Sequence, residues 1–137
     1  TLYRALKAAD ILQEKYGLRA EGIDARSIVP FDYTLVMESV KKTGRILITG
    51  DACERNSFMR NLASNIAELC FDDLDAAPVV VGAKNWITPA HELENAFFPQ
   101  PEWMVDAIHQ RMLPLPGHVS AHNWTELEQI RENKRGI

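Results

Sequence analysis

Pro78-Val79-Val80-Val81-Gly82 sets three valines side by side between a proline and a glycine, and Arg45-Ile46-Leu47-Ile48-Thr49 is a second short run of the same kind. Runs that are apolar at consecutive rather than alternate positions suit strands buried on both faces, the setting of a parallel sheet. Parallel strands need a crossover of a dozen or more residues between them, normally a helix. The stretch from about Asn56 to Cys70 meets that need, with Phe58, Leu62, Ile66 and Leu69 on one helical face.

The flanking sequence repeats the alternation. Leu2, Ala5, Leu6, Ala9, Leu12 and Gln13 recur at three- and four-residue steps. They lie between Thr1, a candidate N-cap, and Gly17, a stop signal, and predict an amphipathic helix. Leu18 to Ala25 reads as a strand interrupted by Gly22. Pro30 and Asp32 mark a second helix start; Leu35, Val36 and Val40 line its face and Gly44 ends it. A loop with Pro89 and Pro99 leads to a helix near Glu102 to Met112, striped by Met104, Ala107, Ile108 and Met112. Helices and strands taking turns predict an α/β fold with a mostly parallel sheet covered on both faces. Pro114, Pro116 and Gly117 bound a domain of residues 1–113 from an extension, 114–137. In that extension Asn123 to Arg135 reads as a short polar helix, with Thr125 and Glu128 spaced as a capping box.

A chain of 137 residues, 46% apolar and 25% charged, has the size and balance of one globular domain. Its net charge of −4, with no dense block of Lys or Arg, gives nucleic acid or an anionic membrane little to attract. No apolar run approaches the roughly 18 residues of a membrane span. Cys53 and Cys70 are too few for a disulfide framework or a zinc site and are expected to be reduced thiols in a cytoplasmic protein.

The inventory of reactive groups is thin. None of His91, His109, His118 and His122 stands at metal-ligand spacing from a Cys or carboxylate. His118 and His122 are expected at the surface, and His109 as a partly buried structural residue. Gly50-Asp51-Ala52 follows a strand, where open α/β sheets place ligands, but lacks the repeated glycines of a phosphate loop. Ser57 sits where a helix cap is expected. Asp72, Asp73 and Asp75 form an acidic run that is either a solvated loop or a site for a cation or cationic partner. Trp86, Phe97, Phe98 and Trp103 cluster around proline-bounded loops, as satellite core or as a surface that a partner covers.

Several stretches together resemble the C-terminal domain of the beta subunit of 2-oxo acid dehydrogenase first components, of the pyruvate and branched-chain types, with the transketolase C-terminal domain as wider kin. They are Ile23-Asp24-Ala25-Arg26-Ser27-Ile28-Val29-Pro30-Phe31-Asp32, Glu38 through Arg45, Phe71-Asp72-Asp73-Leu74-Asp75-Ala76 through Pro78-Val79, and a closing segment with Thr88-Pro89, Leu93-Glu94, Phe98-Pro99, Val105 and Ile108. The likeness covers roughly residues 1–113. It implies a three-layer α/β/α sandwich around a mostly parallel sheet, transketolase C-terminal domain-like. Departures are plain: Asp51 stands nearest to the family's usual Glu, Lys84-Asn85-Trp86 replaces Pro-Asp-Thr, and the tail from Leu115 to Ile137 runs past the usual end. The family also begins this domain with a strand, whereas residue 1 here opens a helix.

The resemblance implies thiamine-diphosphate-dependent oxidative decarboxylation of a 2-oxo acid, with acyl transfer to a lipoyl group. The family's Mg²⁺ and diphosphate ligands, and its activating Glu, lie in other domains. This chain is therefore expected to hold no catalytic, cofactor or metal residue and to be inactive alone. Its expected work is association with the other domains or subunits of a homo- or hetero-oligomeric dehydrogenase, and docking to the subunit-binding domain of the acyltransferase core. Asp75 matches an acidic docking position, with Asp72 and Asp73 beside it; Trp86, Phe98 and Trp103 are further candidate partner-binding residues. The alternatives are the same domain from another thiamine enzyme (a transketolase, deoxyxylulose-phosphate synthase or acetoin dehydrogenase) and a stand-alone α/β interaction module.

Overall fold

A computed structural model describes residues 1–124 together with Glu128 and Arg131. Helix α1 spans Leu2–Tyr16, α2 Thr34–Thr43, β1 Leu47–Cys53, α3 Phe58–Leu69, β2 Val79–Ala83, α4 Glu94–Phe97 and α5 Pro101–Arg111, with short 3-10 turns at Phe71–Asp73 and His91–Leu93. Strands β1 and β2 pair in parallel, Leu47 opposite Val79, Ile48 opposite Val80 and Thr49 opposite Val81.

Two apolar layers cover this sheet. Alternate strand residues point to opposite faces. Leu47, Val79 and Val81 pack with α1 and α5 through Ala8, Leu12, Met104, Val105 and Ala107. Ile48 and Val80 pack with α2 and α3 through Val36, Val40, Leu62 and Ile66. The result is the helix–sheet–helix sandwich that the sequence implied, around a sheet of only two strands among the described residues.

Several sequence expectations are corrected. Leu18–Ala25 forms no strand. β2 already takes one edge of β1, Gly22 breaks the run, and Glu21 is held from the side by the Ser39 hydroxyl at 2.8 Å. Helix α1 buries Ala8 and Leu12, while Leu2 and Leu6 on the neighbouring stripe stay about half exposed. Leu69 of α3 is also half exposed, although its spacing placed it inward. Thr1 and Ser57 occupy N-cap positions without capping: their hydroxyls donate to Asp51 and to the Glu54 carbonyl instead. Asp32 does serve α2, accepting the Thr34 amide at 2.9 Å, and this bond holds its carboxyl below the usual range. Most of the helix expected over 123–135, including Thr125, lies outside the described residues.

The C-terminal extension enters the core. Leu115 and Trp124 are buried with α1 and α5. His118, expected at the surface, is enclosed, its side chain 13% exposed.

Candidate functional site

The two ends of the strands carry different chemistry. Before β2, the turn Phe71–Asp73 presents Asp72 and Asp73 to solvent, and Asp75 follows, also exposed. Asp75 is fixed from two sides: its amide donates to the Gly44 carbonyl at 2.8 Å, and its carboxylate meets Arg45 Nη1 at 3.1 Å. Gly44 ends α2 with φ +66, and a Cβ there would lie 2.5 Å from Asp75 Oδ2. Only glycine suits both the left-handed turn and the close carboxylate. The helix stop read in the sequence thus also sets the place of Asp75.

At the opposite end, β1 and β2 fall out of step between Thr49 and Cys53, where Gly82 alone of β2 faces Gly50, Asp51 and Ala52 of β1. Gly82 permits this: a Cβ there would meet the Ala52 carbonyl at 2.6 Å. The irregularity turns Glu54 inward, its amide donating to the Ala83 carbonyl at 3.2 Å. Glu54 is 9% exposed, and its carboxylate pairs with Arg60. Burial pushes the Glu54 carboxyl up, opposed by the charges of Arg60, Arg111 and Lys84. Lys84 Nζ lies 4.7 Å from the Trp103 ring centroid and 4.6 Å from that of Trp124, a cation set over two neighbouring aromatic rings. Sequence spacing gave no sign of this group, because its members come from the residues that follow β1 and β2, from α3, from α5 and from the tail.

The aromatic candidates divide. Trp103 is 5% exposed and packs against Trp124 at 5.6 Å, so it is a core residue rather than an accessible partner contact. Phe98 is half-buried, edge-on to Phe97 at 4.8 Å. Trp86 keeps an exposed face beside the fully exposed Ile87. The acidic trio and Trp86 therefore lie at opposite ends of β2 and form no single surface patch.

Gly50-Asp51-Ala52 lies inside β1. A Cβ on Gly50 would come 2.9 Å from Met59 Sδ, and Asp51 accepts from the Thr1 hydroxyl. Glycine here admits a neighbouring methionine, not a phosphate, and the one carboxylate already has a protein donor. These residues do not fit a Mg²⁺–diphosphate site. No group of three or more His, Cys, Asp or Glu among the described residues is arranged to hold a metal.

A groove of about 360 Å³ runs along the free edge of β1. Ile46, Leu47, Ile48 and Thr49 all line it. Side chains alternate across a strand, so a cleft touching four consecutive residues follows the backbone edge. Gly22 to Ala25 form its far wall, Leu2, Leu6 and Ala9 of α1 one side, and Val36, Leu62 and Ile66 the other. The groove lies in the plane of the sheet, between the two helical layers.

Comparison with known proteins agrees with these features. The sequence profile of the transketolase C-terminal domain matches residues 1–104. The chain is 37% identical over 105 residues to the pyruvate dehydrogenase E1 component subunit beta of Rhizobium meliloti, covering 76% of this chain and 23% of that protein. It is 41% identical over 101 residues to the 2-oxoisovalerate dehydrogenase subunit beta of Pseudomonas aeruginosa, covering 73% and 27%. With the mitochondrial 2-oxoisovalerate dehydrogenase subunit beta of Dictyostelium discoideum it shares 41% over 71 residues, covering 52% and 19%. The chain thus spans about a quarter of the length of these relatives. With its parallel pair between two helical layers and a profile match over three-quarters of its length, the chain belongs to the transketolase C-terminal domain family.

Proposed function

We propose that this chain is the assembly domain of a thiamine-diphosphate-dependent 2-oxo acid dehydrogenase beta subunit, bracing the cofactor-binding parts and docking the acyltransferase core, with the cytoplasmic setting expected from its two thiols. The observation that carries the docking role is Asp75. It is exposed, yet its backbone is tied to Gly44 and its carboxylate to Arg45. A charge held in place on the surface is suited to set register and on-rate with a basic partner. Asp72 and Asp73 extend the negative field on the preceding turn.

The bracing role draws on the groove. A parallel strand buried between two helical layers needs apolar neighbours on both sides and a backbone edge to pair with. The groove offers Leu2, Leu6 and Ala9 on one side, Val36, Leu62 and Ile66 on the other, and β1 along its length. That supports the strand ahead of α1 that the family resemblance implies.

Titration of the wild-type chain and of Asp75→Ala with the basic subunit-binding domain of an acyltransferase core tests the docking role. The expected result is at least a tenfold loss of affinity at low salt, shrinking as salt screens the pair. Unchanged affinity across the salt range would remove Asp75 from the account.

A further inference from the structure

Helix α5 grips the C-terminal segment with three side chains of one face, Asp106, His109 and Gln110. Asp106 is 2% exposed. Its Oδ2 accepts the amides of Ala121 at 3.1 Å and His122 at 2.9 Å, and its Oδ1 lies 2.7 Å from His118 Nε2. The Gln110 side chain takes the Trp124 amide and donates to the His122 carbonyl. His109 Nδ1 accepts the Leu115 amide at 2.8 Å. Leu115 itself is a fully buried plug among the residues of α1 and α5.

These contacts respond to acid in opposite ways. A backbone amide only donates, so His109 Nδ1 must be bare and its ring neutral, with the proton on Nε2. Protonating His109 would set two N–H groups against each other and place a positive ring 5.0 Å from the His118 ring. His118 and His122 instead face the Asp106 carboxylate, and a proton on either adds attraction to their hold. Among the described residues, groups in contact with this cluster include Asp106 from α5, His118 and His122 from the tail, and the Tyr16 hydroxyl from α1, 2.7 Å from His118 Nδ1. Of these histidine contacts, the His109 bond alone is lost on protonation. It anchors the start of the segment, beside Pro114, Pro116 and Gly117, where φ at Gly117 is +70.

We propose that His109 is a pH-sensitive latch. With its ring neutral, it holds Leu115 in the core. On acidification, it releases the Leu115 amide and loosens residues 114–117, while the Leu113 amide stays on the Ile108 carbonyl and Asp106 keeps its grip on residues 118–122. The device opens the apolar seat of Leu115 at one end of the molecule without unfolding the domain.

Amide hydrogen exchange of the full chain at pH 7.5 and 5.5, expressed as protection factors, tests this. The Leu115 amide should lose about tenfold in protection at the lower pH, the scale of one buried hydrogen bond. Ala121 and His122 should keep or raise theirs. In His109→Asn, whose Oδ1 can accept at the place of Nδ1 without titrating, Leu115 protection should not change with pH. Equal Leu115 protection at both pH values in the wild type, or a pH-dependent loss that persists in His109→Asn, overturns the proposal. Should that variant fail to fold, ring ¹⁵N shifts of the wild type decide: a bare Nδ1 at pH 7.5 supports the latch, and an Nδ1 carrying a proton overturns it.

Discussion

Glu54 shows how one residue's environment can oppose its charge. Burial raises its carboxyl, while Arg60, Arg111 and Lys84 pull it down without winning. A carboxyl raised above its unfolded value contributes stability below that value, lost as pH rises through the folded one. Glu54→Gln, which does not titrate, should therefore gain on the wild type as pH rises from about 4, the ordinary Glu range. At pH 7 it should be neutral to about 1 kcal/mol more stable in urea unfolding. A variant that loses more stability at pH 7 than at pH 4 would show that the Arg60 pair prevails. Asp106 is the matching case on α5, a buried acid satisfied by two backbone amides and a histidine. Neither residue could be singled out in the sequence, because the partners that make an inward carboxylate tolerable come from distant segments. An Asp between Val105 and Ala107 on the buried side of α5 was the one available sign.

At the level of elements, local pattern and outcome agree where a segment's neighbours are close in sequence. The consecutive valines of β2 are buried, Gly17 and Gly44 end their helices at φ +66, and Pro101 opens α5. Agreement fails where a segment depends on a remote partner. Leu18–Ala25 had strand-like residues but no strand beside it among the described residues, and α1 turned only part of its expected stripe, Ala5 and Leu12, to the core, joined by Ala8, because α5 packs there. Helix α3 separates the two situations within twelve residues. Ile66 is fully buried beneath Val80, whereas Leu69, three residues on, is half exposed. Ile66→Ala should cost about 3 kcal/mol and Leu69→Ala less than about 1 kcal/mol, read as a shift in urea midpoint at constant m-value. Equal losses would mean that the described packing of α3 is wrong.

The whole molecule divides its labour by position. The sheet and its two helical layers set Asp75 at one end, and the Glu54–Arg60 pair and Trp86 at the other. The groove follows the open edge of β1. The fold class was readable from periodicity, since alternating helices and buried strands leave few arrangements. The candidate site was readable only in part. Asp75 is exposed, which the docking proposal requires, but Trp103 is core, and the acidic and aromatic candidates do not meet, because sequence proximity says nothing about which end of a strand a loop leaves.

The account holds that this domain supports and assembles while the reactive groups sit elsewhere. Thermal unfolding of the 137-residue chain with increasing thiamine diphosphate and Mg²⁺ addresses that claim most directly, since any ligand bound by the native state alone raises the midpoint. The account predicts a midpoint unchanged up to millimolar cofactor. A saturable rise, abolished by removing Mg²⁺, would place the cofactor's binding groups in this chain and contradict it.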